Sequence, residues 1–278
     1  LSSLLFREYS PRGGSSPVVR FFLGMCAMFG ALVFLGCPWR AYLRLAGGDW
    51  NALYGIGGLI VGILIGIAYA ANFLTLYLFY ELLTFATLPL VMHSQKQEAI
   101  RAAMKYLFYS ITGACLALTG FFFFYRYGVS TDFTPGGVLD ATKLVGKENL
   151  MLTASFLTLV GFGAKAGLVP LHAWLPTAHP VAPTPASAVL SGLITKAGVV
   201  AIIRTIYFLA GPRFLRGTWV QTTMLSLSLL TIFMGSMLAY MEKHLKKRIA
   251  YSSVSQVSYI VLGLMLLTPD GVTGGLLQ

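Results

Sequence analysis

GFGAKAGLVPLHAWLPTAHPVAPTPASAVLSGLITKAG, residues 161–198, carries two lysines and a cluster of prolines through an otherwise apolar, small-residue sequence. Prolines stand at 170, 176, 180, 183 and 185. Each removes a backbone donor and pushes the residue before it out of the helical region, so a helix is expected to end or break near Pro170. Lys165 lies just before that break among Gly161, Gly163, Ala166 and Gly167, and Lys196 lies eleven residues into the apolar run that starts at Pro185.

The surrounding sequence sets the solvent. Hydrophobic residues make up 56% of the 278 residues and charged ones 10%, against about 25% charged in an ordinary soluble domain; the mean hydropathy is +0.75. A water-soluble fold is excluded on these grounds. The apolar runs are long and unalternating, which disfavours a β-barrel and predicts an all-α polytopic membrane protein with about eight spans. The expected spans are Val18–Gly36, Ala52–Ala71, Phe73–Val91, Met104–Tyr125, Leu150–Val169, Pro185–Leu209, Val220–Tyr240 and Ala250–Leu267. The second and third form one run interrupted at Asn72, too long for a single helix. Non-helical backbone at membrane depth persists only where protein or a water-filled cavity satisfies it, so the break near Pro170 marks a candidate polar cavity.

Net charge is +11, from 20 basic and 9 acidic residues. The basic residues sit mostly in short connectors, which is a topological pattern and not that of nucleic-acid binding. Summed over alternate connectors they leave the orientation undecided. The densest connector, Glu242–Arg248, favours the cytoplasm for its side. Cys26, Cys37 and Cys115 show no paired spacing and read as small buried hydrophobes, with neither a disulfide framework nor a zinc site. No secretory leader is visible, and the sequence stops at Gln278 just after an apolar segment, which suits a piece of something longer.

Three charged residues fall inside spans. Glu81, in LTLYLFYELLTFATLPLV, is about 13 Å from either end of its span at 1.5 Å per residue, too deep to snorkel. It has to face the bundle interior and either stay protonated or hold a cation. Lys165 has small neighbours that leave room for water and close helix approach, and an amine there can exchange a proton. Lys196 is near mid-span, with Ser187, Ser191 and Thr195 nearby, and 188, 192, 195, 196 and 199 are expected to share one face. Simple helix docking remains open for each of the three. His172 and His179 flank Trp174 and Pro176; they suit either a proton relay or hydrogen bonds that hold the broken segment together. No Cys, Asp or Glu accompanies them, so metal binding is poorly supported. There is no phosphate-binding glycine loop, haem attachment motif or iron–sulfur cysteine pattern; no cofactor is expected, and electron transfer is not expected of this chain.

The 161–198 stretch, with YELLTFATLPLV upstream and KKRIAYSSVSQVSYIVLG downstream, resembles the proton-conducting, antiporter-like membrane subunits. These occur in respiratory complex I, in Mrp-type cation/proton antiporters, and in membrane-bound hydrogenases and related complexes. The likeness covers roughly residues 52 to 267. It implies a glutamate–lysine pair on neighbouring helices, the lysine on a broken helix, and a central lysine or histidine on the helix after it, positions that fall at Glu81, Lys165 and Lys196. It also implies two inverted bundles, each with a broken helix. On that scheme residues 1–51 are an N-terminal segment with one span, 52–210 the first bundle, and 211–278 the truncated start of a second. The chain would thus hold one complete half of the inverted repeat.

Function follows from the same resemblance: a proton-translocating subunit of a multisubunit ion-pumping or respiratory complex in the inner (plasma) membrane. Its partners would be other membrane subunits and lipid, its transported ion the proton, with sodium or a purely structural scaffold as alternatives. Two departures stand out. Gln256 occupies a span where complex I members often carry a histidine, which is closer to the Mrp and hydrogenase branches, and the charged residue of a second broken helix is missing.

Overall fold

A computed structural model describes residues 51–139, 144 and 146–278. The expected span Val18–Gly36 and the residues Cys26 and Cys37 lie outside them. The chain divides into two compact units, Leu1–Gly66 and Ile67–Gln278. Of the first, the described part belongs to the helix Asn51–Ala68. The second is helical, and the described residues add two isolated bridges, Asn72 to Asp132 and Gly128 to Leu139.

Five helices among the described residues are long and apolar enough to cross a membrane: Phe73–Met92, Gln97–Tyr127, Glu148–Ala166, Thr184–Ala210 and Trp219–Met241. They are called here, in the first four cases, the Glu81, Tyr106, Lys165 and Lys196 helices. Leu245–Met265 is a further helix of 21 residues whose first turn carries Lys246, Lys247 and Arg248. The long apolar run is divided near Asn72, as its length requires. Asn72 takes extended backbone and its side chain caps the Glu81 helix by accepting from the Thr75 amide at 2.8 Å. The Tyr106 helix runs 31 residues, past the apolar core Met104–Tyr125 at both ends. At 1.5 Å per residue it is about 46 Å long, so its polar ends outreach a hydrocarbon layer of about 30 Å.

The break begins earlier than proline alone predicts. The Lys165 helix ends at Ala166 because Gly167 turns left-handed (φ 90°) and donates its N–H to Gly163 O at 2.8 Å, a helix stop that glycine makes inexpensive. The segment beyond is also less irregular than its prolines suggest: Leu175–Val181 is a short helix, with Pro176 in its first turn. Hydrogen bonds are supplied locally. Trp174 Nε1 donates to Ala164 O (2.8 Å), Val169 N to Thr231 Oγ1 (3.1 Å), and Lys246 Nζ to Ala182 O (2.9 Å). After Pro183 the chain re-enters a helix that widens to π turns at Leu190–Ile194 and Thr205–Ala210.

Small residues bring the Lys165 helix against two of its neighbours. A Cβ on Gly161 would fall 2.4 Å from Gly113 O on the Tyr106 helix, and one on Gly198 would fall 2.7 Å from Ala166 N. Only glycine permits these approaches. Around them an aromatic core closes the bundle: Phe73 stacks on Phe121 at 4.2 Å between centroids, and Phe162 meets Tyr80 edge-on at 4.9 Å. Outward faces are apolar, with Leu74, Leu78, Phe85, Phe108, Phe122 and Phe233 all exposed. Such a surface suits lipid or other membrane chains.

Candidate functional site

Lys165 is fully buried, its side chain 0% exposed at the last turn of its helix. A cation in that position needs compensation from every direction. Three groups of the neighbouring Glu81 helix provide it. The ammonium donates to the backbone carbonyl of Tyr80. It lies 3.4 Å from the centroid of the Tyr80 ring, a cation–π contact in a desolvated setting. Finally, Glu81 Oε1 stands 3.7 Å from Nζ.

That last distance is informative. A direct charge-assisted hydrogen bond runs about 2.7–2.9 Å, so the carboxylate attracts the ammonium without being locked to it. Glu81 is partly exposed at 19%, and its Oε1 has no hydrogen-bond partner. Lys165 is therefore held chiefly by Tyr80, and Glu81 can move relative to it without dismantling the pocket. Tyr80 is itself fixed, fully buried against Phe162, with its hydroxyl 3.4 Å from Phe162 O.

Lys196 is not in this pocket. It is exposed, and its Nζ donates to Ser191 O at 3.1 Å within its own helix. The π turn Leu190–Ile194 immediately precedes it and alters the register there. The expected single polar face is consequently divided: Ala188, Gly192 and Lys196 are exposed, whereas Thr195 and Val199 are buried. The hydroxyls beside it look elsewhere. Ser191 Oγ pairs with Ser253 Oγ (2.8 Å), Ser187 Oγ with His179 Nδ1 (2.6 Å), and Thr195 Oγ1 bonds Ser191 O (2.7 Å).

His179 is buried, and its Nε2 lacks a partner; His172 is half-buried with an unpartnered Nδ1. Neither is hydrogen-bonded to Lys165 or Lys196. Among the described residues no three His, Cys, Asp or Glu side chains gather as a metal site would require. Cys115 is exposed and free, not buried as expected for a small hydrophobe; it lies on the Tyr106 helix, whose outward face is apolar.

The residues that sequence reasoning passed over are hydroxyl and aromatic ones. Tyr80 precedes Glu81, and Thr84 and Thr87 follow it at successive helical steps of three. Tyr106 and Ser110 stand four apart on the next helix. That spacing was a readable signal, since residues three and four apart share a helix face.

Residues 70–278 match the profile of the family described as NADH:quinone oxidoreductase/Mrp antiporter, TM. The chain belongs to this family. Hydrogenase-4 component B of Escherichia coli (strain K12) is 32% identical over 183 residues, 66% of this chain and 26% of that protein. NADH-quinone oxidoreductase subunit N of Desulforudis audaxviator (strain MP104C) is 30% identical over 274 residues, 96% of this chain and 51% of its own length. The chain thus spans about half or less of these family members. The fold is shared with a chain in the structure of the Mrp complex from Dietzia sp. DQ12-45-1b, at a TM-score of 0.72 and 22% identity, covering 92% of this chain and 47% of that one. Membership of a membrane antiporter-like family agrees with the five spanning helices.

Proposed function

We propose that this chain is a proton-translocating membrane subunit of a multisubunit ion-pumping or respiratory complex. The observation that carries the reading is the buried Lys165, cradled by Tyr80 and loosely paired with Glu81 on the adjacent helix. A cation kept inside a spanning bundle with a movable counter-charge is a two-state element. With Glu81 close, the charged ammonium is favoured; with Glu81 withdrawn, that attraction falls and the proton is released. Lys196, on the next spanning helix, is the onward carrier, and His172 and His179 line the broken segment between the two lysines as relays.

The domain scheme belongs to the same proposal: residues 1–51 with one span, 52–210 as the first bundle, and 211–278 opening a second, with about eight spans in all. Other membrane subunits and lipid cover the apolar outward faces, in an inner (plasma) membrane. Sodium is less well served. It requires several oxygen ligands, and among the described residues Glu81 alone places a carboxylate deep within a span.

Flux through everted vesicles carrying the complete complex tests the ion. Acidification driven by the complex's own energy source should proceed without sodium and fall in Glu81→Gln. Acidification that depends strictly on sodium would instead support antiport.

A further inference from the structure

Three buried side-chain oxygens on the Glu81 and Tyr106 helices have no hydrogen-bond partner: Glu81 Oε1, Thr84 Oγ1 and Ser110 Oγ. Thr84 is 0% and Ser110 2% exposed. Most buried serines and threonines in this bundle bond a carbonyl of their own helix, as Ser155, Thr158, Ser228 and Ser258 do. Thr84 and Ser110 do not. Both hydroxyls instead approach the phenol of the fully buried Tyr106 without completing a bond. That phenol bonds Thr87 Oγ1 at 2.9 Å.

Thr84 and Thr87 follow Glu81 at three-residue steps, so Glu81, Thr84 and Thr87 run along one side of the helix for about 9 Å. Tyr106 and Ser110 face them from the antiparallel neighbour. The line leads from the carboxylate toward the end of the bundle where Lys96 precedes the Tyr106 helix and Arg101 stands in its early turns. Polar atoms left open in a dry interior are rare, and a set of several around one space is what a buried water requires, with two to four partners.

We propose that Glu81, Thr84, Tyr106 and Ser110 form a buried water-binding site that carries protons between Glu81 and the Lys96–Arg101 end of the bundle. The inference rests on the proton-translocating reading of the Glu81–Lys165 pair. The bound water donates to Glu81 Oε1 and accepts from a hydroxyl. When it passes its proton to the carboxylate, it takes the hydroxyl's proton in turn, and that hydroxyl is refilled from the next group toward the connector. One proton arrives at Glu81, one enters at the far end, and no relay member is left charged.

The test uses the complete complex in two measurements. A cryo-EM map at a resolution that shows ordered water should contain solvent density within hydrogen-bond distance of Thr84 Oγ1 and Ser110 Oγ; a well-ordered pocket without it overturns the site. In vesicles, Thr84→Val combined with Ser110→Ala should lower proton translocation per assembled complex about tenfold or more, the range in which losing a positioned proton-transfer group is felt. Thr84→Ser should retain it. Tyr106→Phe, which keeps the ring packing, should give a similar loss with a larger solvent isotope effect. If the Thr84→Val and Ser110→Ala combination and Tyr106→Phe both pump at the full rate while Glu81→Gln does not, the water site is wrong and the ion pair stands. If Glu81→Gln also pumps fully, both readings fail.

Discussion

Lys165 holds its ammonium 3.4 Å from the centre of the Tyr80 ring, nearer than its 3.7 Å approach to Glu81. The permanent partner of the buried cation is thus an aromatic face and a backbone carbonyl, and the carboxylate is the adjustable one. This division lets the charge be modulated without unfolding its pocket.

Tyr80→Phe is expected to be mild. It keeps the ring and the carbonyl and loses only a long hydroxyl contact to Phe162 O, at 3.4 Å, a change of about 1 kcal/mol or less. Tyr80→Leu removes the cation–π contact and should cost about 2 kcal/mol or more. The thermal unfolding midpoint of the purified complex should therefore drop clearly in the second variant and little in the first.

Glu81→Gln leaves Lys165 without its counter-charge; breaking a fully buried pair costs about 3–5 kcal/mol, and because this pair is loose and Glu81 partly exposed the loss should fall below that range. Adding Lys165→Met should return most of that loss, because the orphaned charge goes with it. Denaturation of the two single variants and the double variant gives the coupling. Strictly additive costs would show that the two side chains do not act on each other.

The contact between the Tyr106 and Lys165 helices depends on Gly161, where a Cβ would meet Gly113 O at 2.4 Å. Gly161→Leu should separate the helices and abolish assembly, as judged by co-purification. Gly192 has open space around it, so Gly192→Ala should assemble normally, with a stability change within about 1 kcal/mol.

Much of this was legible in the sequence, because membrane solvent leaves few choices. Charge scarcity and apolar run length gave spans that lie within a few residues of the helices observed for the Glu81, Lys165 and Lys196 segments. The place of Glu81 near the middle of its helix followed from counting residues. What counting missed was local geometry. The Lys165 helix stops at Gly167, whose left-handed turn precedes Pro170, and the π turn before Lys196 divides the face that a regular 3.6-residue period assigns to it. Tyr80 went unnoticed because an aromatic residue in a span reads first as packing, although its place next to Glu81 was visible throughout.

Trp174 closes the broken helix by donating its indole N–H to Ala164 O at 2.8 Å while packing on Tyr106 at 4.8 Å. Trp174→Phe keeps much of the packing but leaves that buried carbonyl open, at a cost of about 1–3 kcal/mol. Limited proteolysis should then cut more readily between Gly167 and Pro183 than in the unaltered protein.

The most direct measurement is proton translocation by Lys165→Ala in energised vesicles, normalised to the amount of assembled complex. Loss of at least about tenfold, with the driving reaction's catalytic centre intact, is the predicted result. Full translocation per assembled complex would contradict the account, since the cation on which the switch depends would be dispensable.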